Sequence, residues 1–215
     1  MNPSLNTIEI VTFTLGPIEN NTYLISDPAS HDAAVIDPSF NIQSVLEQIT
    51  EQKLRAKYIL LTHAHFDHIA GVNELLKALP YNPVIGLHSL DLALWRERGN
   101  SLAYGFKLDP LPDPDHFLDD GESLSVGGFH IDVLYTPGHS SGHVVFSIPN
   151  IRAIFCGDVI FAGSIGRTDL PGGNHSQLLD SIRTKIMGYP DETRLLPGHG
   201  PETTVGFEKK HNPFF

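Results

Sequence analysis

The chain has 215 residues, 40% of them hydrophobic, enough to fill a sizeable core, and no run approaching the ~18 apolar residues that would cross a membrane. With 14 Lys+Arg against 25 Asp+Glu, the formal net charge of −11 repels a phosphate backbone and argues against nucleic acid as a partner. One cysteine, Cys156, excludes an internal disulfide framework, and the polar start MNPSLNTIEI lacks the basic and apolar regions of a signal peptide, so the cytoplasm is the expected compartment.

The first forty residues read as short strands between turns, Ile8 to Leu15, Asn21 to Ser26 and Ala33 to Asp37, which together predict a β-meander. After Asp37-Pro38-Ser39 the pattern changes to Ile42, Val45, Leu46 and Ile49, the spacing of an amphipathic helix. A strand at Tyr58 to Leu61 runs into Thr62-His63-Ala64-His65-Phe66-Asp67-His68, and Ile69, Val72, Leu75, Leu76 and Leu79 predict a second helix. The second half continues with a strand near Val84, a helix over Ser89 to Arg98 and a Pro- and Asp-rich loop from Asp109 to Asp115. Strands are predicted at Ser123 to Val126, Phe129 to Thr136, His143 to Ile148 and Arg152 to Cys156. A helix carrying Leu178, Leu179, Ile182 and Ile186 and a strand near Leu195 follow. No composition break divides the chain, so residues 1–215 are expected to form one domain, with two largely antiparallel sheets face to face and helices outside.

Twelve histidines against 14 Lys+Arg is the unusual feature, because imidazole titrates near neutrality and binds transition metals. The cluster H-x-H-x-D-H is expected in roughly 0.3% of shuffled chains of this composition, and three imidazoles with a carboxylate inside six residues read as metal ligands. Three further loops each place a candidate ligand beside glycine at a strand end: Thr136-Pro137-Gly138-His139, Cys156-Gly157-Asp158 and Leu196-Pro197-Gly198-His199. Glycine lets the backbone turn sharply, so that a short side chain can point into a shared cleft.

The set THAHFDH, TPGHSSGH, CGD and LPGHG resembles the metallo-β-lactamase superfamily of binuclear hydrolases, in order and spacing over nearly the whole chain. Gly163-Ser164-Ile165-Gly166-Arg167-Thr168-Asp169, His175-Ser176-Gln177-Leu178 and the ending from Gly200 to Phe214 are similar to the short, single-domain branch of hydroxyacylglutathione hydrolases, the type II glyoxalases. The resemblance implies an α/β fold, a four-layered αββα sandwich of two mixed sheets. It also implies two divalent metal ions, with zinc the default and iron or manganese compatible with imidazole and carboxylate donors. His63, His65 and His139 would bind one ion, Asp67, His68 and His199 the other, and Asp158 would bridge them.

Two such ions lower the pKa of a water between them and polarise a carbonyl, so no serine or cysteine nucleophile is required. The implied reaction is hydrolysis of a small-molecule thioester, a glutathione conjugate such as S-lactoylglutathione. The thiolate leaves unaided, because its conjugate thiol has a pKa of about 8.5. Asp67 has a second implied role, accepting a hydrogen bond from the attacking water, and Arg167 corresponds to a basic position that contacts a substrate carboxylate. The competing reading of Arg167 is a loop-locking ion pair with Asp169. Long-form relatives carry a C-terminal glutathione-binding region, whereas sixteen residues follow His199 here, so thiol recognition is expected to be looser. The alternative activity is that of a persulfide dioxygenase, a mononuclear iron oxidoreductase of the same fold that shares the Gly-Arg-Thr-Asp segment. Cys156 is read as core packing, and His143 as support for the His139 loop or as a surface residue. The segment Trp95 to Phe117 is read as a loop anchor or an apolar wall over the cleft.

Overall fold

Neighbouring residues on the central strands bury on opposite faces, and both faces are covered, so the strands read as unbroken apolar runs rather than alternating ones. The structure is a computed structural model that describes residues 8–215; most of the polar start MNPSLNTIEI, residues 1–7, lies outside the described residues.

The first sheet comprises β1 (Glu9–Leu15), β2 (Asn20–Ser26), β3 (Asp32–Ile36), β4 (Arg55–Leu60), β5 (Val84–Leu87) and β6 (His116–Phe117), adjacent in that order. The expected meander is present, since β1, β2 and β3 pair antiparallel. From β3 onward the pairing is parallel, so this sheet is less antiparallel than the sequence suggested. The cause is the crossovers: α1 (Gln43–Glu51), then α2 (Phe66–Ile69) and α3 (Val72–Ala78), then α4 (Leu92–Arg96) return the chain to the same end before each next strand.

The second sheet holds β7 (Ser123–Val126), β8 (Phe129–Tyr135), β9 (Val144–Ile148) and β10 (Ala153–Gly157). A separate hairpin, β11 (Ile160–Phe161) and β12 (Ser164–Ile165), comes next, followed by α5 (His175–Ser181) and then β13 (Arg194–Pro197), β14 (Thr203–Thr204) and α6 (Val205–His211). Its order is β14-β13-β10-β9-β8-β7, antiparallel except where β10 meets β13 across the α5 crossover.

Three apolar clusters define four layers. Ile25, Ile36 and Leu60 of the first sheet meet Ile131, Phe146 and Phe155 of the second between the sheets. Their strand neighbours Leu24, Val35 and Ile59 turn outward onto Val45, Ile69 and Leu75 of the helices. On the opposite side Val145, Ile154 and Leu195 pack on Leu178, Ile182 and Val205. This is the expected αββα sandwich.

The helices are shorter than predicted. The stretch Ile69 to Leu79 breaks at Gly71, whose amide donates to Pro38 O at 2.9 Å and where a Cβ would lie 2.3 Å from Ser39 O. The predicted helix over Ser89 to Arg98 starts with a single tight turn and its α-helical part ends at Arg96, ahead of Arg98, Gly99 and Asn100, all three with positive φ. After Ser181 the helix widens over Ile182–Ile186. No helix among the described residues is long and apolar enough to cross a membrane.

Candidate metal centre

Four strand ends deliver the candidate ligands to one end of the sandwich. Beyond β4 the chain runs Thr62-His63-Ala64-His65 into α2, which carries Asp67 and His68; His139 follows β8, Asp158 follows β10, and His199 follows β13. Main-chain bonds tie these ends together: across the sheets Val144 N–H donates to Thr62 O at 2.8 Å and Asn21 N–H to Gly198 O at 2.7 Å, and within the second sheet Gly198 N–H donates to Gly157 O at 2.8 Å. Gly157 sits at φ +46°, and a Cβ there would lie 2.4 Å from Thr62 Oγ1, so the turn into Asp158 needs glycine.

All seven predicted ligands come together. Three overlapping triads, His63/His65/His139, His63/His68/Asp158 and Asp67/His68/His199, each offer donor atoms within 4.8 Å of one another. His65 Nδ1 faces His139 Nε2 at 2.9 Å, and Asp67 Oδ2 lies 3.0 Å from His199 Nε2 and 3.3 Å from His68 Nε2. Asp158 stands between the outer triads, with Oδ1 3.4 Å from His68 Nε2 and Oδ2 3.6 Å from His139 Nε2.

The imidazoles are oriented from behind. His139 Nδ1–H donates to Arg167 O at 2.8 Å and His199 Nδ1–H to Ile18 O at 3.0 Å. His63 Nδ1 lies 3.0 Å from Thr62 Oγ1, which itself donates to Asp37 Oδ2, and His68 Nδ1 lies 3.0 Å from that same carboxylate oxygen. For His63, His139 and His199 this leaves Nε2 for the centre, the tautomer a metal ligand needs, while His68 Nε2 faces the centre with Asn20 Nδ2 also 3.1 Å away. His63 Nε2 and Asp158 Oδ1 are buried without any hydrogen-bond partner, and a buried polar atom is rarely left so. These residues fit a pair of cations.

The electrostatics agree. Burial holds His63 well below its ordinary value, and burial with the nearby His139 lowers His65 to about 3, so both stay neutral. Burial would raise Asp67 and Asp158, but His68 holds both carboxylates well below their usual range. Burial also opposes charge on His68, yet Asp67, Asp158 and Asp37 push it well above its ordinary value. Positive charge is favoured at this point, whether a proton or a cation carries it.

Five of the donors, His65, Asp67, His139, Asp158 and His199, floor a cleft of about 350 Å³ whose walls are Ile18, Phe66, Tyr104, Phe106, Leu170 and Arg167; His63 and His68 lie buried beneath. Larger hollows beside α1 and α3, about 480 and 780 Å³, include none of the donors. Tyr104 and Phe106 therefore form part of an apolar wall, each stacked on Phe66 at about 5 Å, while Trp95, 1% exposed, anchors the segment in the core. Arg167 makes the ion pair of its loop-locking reading, its guanidinium meeting both oxygens of Asp169 at 2.8 Å; its carbonyl holds His139, and the half-exposed guanidinium also lines the cleft. His143 is fully buried, not a surface residue; its ring stacks on His63 and its Nε2 accepts the Asp158 amide at 3.1 Å. Cys156 packs in the core with its thiol donating to Ile154 O.

Sequence reasoning missed Asp37, Thr62 and Asn20. Asn20 Nδ2 lies 3.0 Å from His68 Nδ1, and both side chains are buried. The only available signal was the placement of Asp37 and Thr62 at the ends of strands β3 and β4, which pair side by side.

A profile described as "Metallo-beta-lactamase superfamily" matches residues 15–199. The hydroxyacylglutathione hydrolase GloC of Haemophilus influenzae is 37% identical over 213 residues, spanning 96% of this chain and 97% of that protein. Among solved structures, the BLEG-1 B3 metallo-beta-lactamase is similar with a TM-score of 0.89 at 37% identity, covering 96% of this chain and 99% of its own. TTHA1623 in a di-iron-bound form has a TM-score of 0.85 at 38% identity, covering 95% and 100%. ETHE1 from Myxococcus xanthus has a TM-score of 0.78 at 27% identity, covering 95% and 83%. A profile match over most of the chain, full-length relatives and the αββα architecture agree: the chain belongs to the metallo-β-lactamase superfamily of metal-dependent hydrolases.

Proposed function

We propose that this chain is a binuclear thioester hydrolase, one domain acting in the cytoplasm on hydroxyacylglutathione conjugates, with S-lactoylglutathione yielding glutathione and lactate. The observation that carries the reading is the pair of three-donor groups on either side of Asp158. His63, His65 and His139 would hold one ion, Asp67, His68 and His199 the other, and Asp158 would bridge. Zinc is the default for this donor set, with iron or manganese compatible. When bound, the two ions supply an activated water at neutral pH and a Lewis acid for the thioester carbonyl.

The chain's own residues supply the rest. Asp67, at the cleft floor, would accept a hydrogen bond from the attacking water and fix its direction. Phe66, Tyr104 and Phe106 give the substrate an apolar wall from which water is displaced. Arg167 would take a substrate carboxylate, exchanging it for Asp169. No side chain has to protonate the leaving thiolate. The GloC relative supports this substrate class.

The likeness to ETHE1, together with the segment Gly166-Arg167-Thr168-Asp169, favours a persulfide dioxygenase as the second reading. One assay separates the two: the purified protein is given S-lactoylglutathione, glutathione persulfide and a chromogenic cephalosporin in turn, with an oxygen electrode running. Thioester cleavage without oxygen uptake is expected. Persulfide-dependent oxygen uptake without thioester cleavage would replace the proposal with the second reading, and β-lactam hydrolysis alone would replace both.

A further inference from the structure

We propose that Asp91 is a positioning residue that sets the donor group His63/His65/His139 by clamping the two loops that carry it. Asp91 ends the tight turn Ser89–Asp91 after β5 and is 2% exposed. Its carboxylate gathers three donors: Oδ1 accepts the Gly142 amide at 2.6 Å, and Oδ2 accepts the Ala64 amide at 3.0 Å and the Ser140 hydroxyl at 2.7 Å. Ala64 separates His63 from His65, and Ser140 follows His139 directly. One buried anion therefore touches both segments of that donor group.

The same contact accounts for a glycine in Ser140-Ser141-Gly142-His143. A Cβ at Gly142 would lie 2.8 Å from Asp91 Oδ1 and 2.5 Å from Asp91 N, so the carboxylate reaches the loop only because no side chain stands there. Apolar packing would hold the two loops together loosely. Three directed, charge-assisted bonds to one carboxylate fix them to a common point, and an ion shared between the loops demands that degree of order.

The inference rests on the metal-centre reading and is tested apart from it. Zn²⁺ dissociation constants are measured by chelator competition for the wild type, Asp91→Asn and Glu208→Gln, together with the urea unfolding midpoint of each protein stripped of metal. Glu208 is the matched control: a fully buried carboxylate that accepts from Thr203 Oγ1, Gly163 N–H and Asn212 Nδ2, outside both clamped loops. Asp91→Asn is expected to weaken one of the two Zn²⁺ affinities about 10- to 100-fold, the range for outer partners of metal ligands, while Glu208→Gln lowers the unfolding midpoint and moves neither affinity. The loss should persist in a His199→Ala background, which keeps the His63/His65/His139 group, and vanish in His139→Ala. Ser140→Ala, which removes one donor only, should shift the same affinity in the same direction and serves if Asp91→Asn does not fold. Unchanged affinities alongside a lowered midpoint, or an equal loss at both sites, would overturn the proposal. A wild type that binds no Zn²⁺ would instead refute the metal-centre reading itself.

Discussion

Oδ2 of Asp37 lies 3.0 Å from Nδ1 of His68 and at the same time accepts the Thr62 hydroxyl at 2.7 Å. Oδ1 of the same carboxylate accepts the Thr62 amide at 2.8 Å, so one buried anion joins the β3 end to the first ligand loop. Asp37→Ala leaves the Thr62 amide, the Thr62 hydroxyl and the His68 ring without their acceptor. A loss of about 3–5 kcal/mol is expected, the range for breaking a buried charged pair by removing one partner. Urea denaturation of the metal-stripped protein measures it; a loss below about 1 kcal/mol, the value of an exposed pair, would contradict the role.

Acid should destabilise the metal-stripped protein well above the carboxylate range. Burial lowers His63, His65 and His143 from the ordinary 6.5, His65 to about 3. Below pH 6.5 the unfolded chain then binds protons that the folded chain refuses, so stability falls as pH drops through that window toward 3. His68 works in the opposite sense, since its raised value favours the folded state until pH climbs through it. Melting temperature followed from pH 7 to pH 4.5 should therefore fall, and His65→Ala should flatten the slope. A flat profile in the parent protein would contradict it.

Gly198 precedes His199 and passes close to the centre: a Cβ there would lie 2.3 Å from Asp158 Oδ1 and 2.7 Å from His68 Cε1. Gly198→Ala must displace the Asp158 carboxylate, and a misplacement of about 1 Å costs on the order of 100-fold in rate. Hydrolysis of S-lactoylglutathione should fall by at least that factor, with metal content reduced. Retention of full activity would show that Asp158 does not hold the position assigned to it.

Arg167→Ala should raise KM about five- to tenfold with little change in kcat, because a grip on a remote carboxylate acts equally on ground and transition states. The effect is moderated by Asp169, which already holds the guanidinium through two bonds at 2.8 Å. Asp169→Ala should accordingly lower KM for a glutathione thioester. A thioester without free carboxylates should be hydrolysed alike by all three proteins. Loss of metal or stability in Arg167→Ala with KM unmoved would leave only the loop-locking role.

The candidate ligands were legible in the sequence because four of them cluster as His63, His65, Asp67 and His68 within six residues, and the other three each follow a glycine that permits a sharp turn, at Pro137-Gly138-His139, Cys156-Gly157-Asp158 and Pro197-Gly198-His199. The strands were legible because Val, Ile and Phe fill both of their faces. Asp37, Asn20 and Asp91 were not, because a single carboxylate or amide in a turn reads the same whether it faces water or a partner far along the chain. Asp91 meets Gly142 across fifty-one positions, and Asn20 meets His68 across forty-eight. The break at Gly71 was hidden for the same reason, since its cause is the approach of Ser39 O. Parallel pairing of β3 through β6 depends on how helices return the chain, which local periodicity does not encode.

The central claim is that two cations share Asp158, and the most direct measurement is metal content per chain by elemental analysis of the wild type, Asp67→Ala and Asp158→Ala. The wild type should hold close to two ions. Asp67→Ala should hold close to one, and Asp158→Ala should fall below both, because the bridging carboxylate also offsets the repulsion between the ions. A single iron per wild-type chain, with Asp67→Ala leaving its content and the activity untouched, would contradict the account.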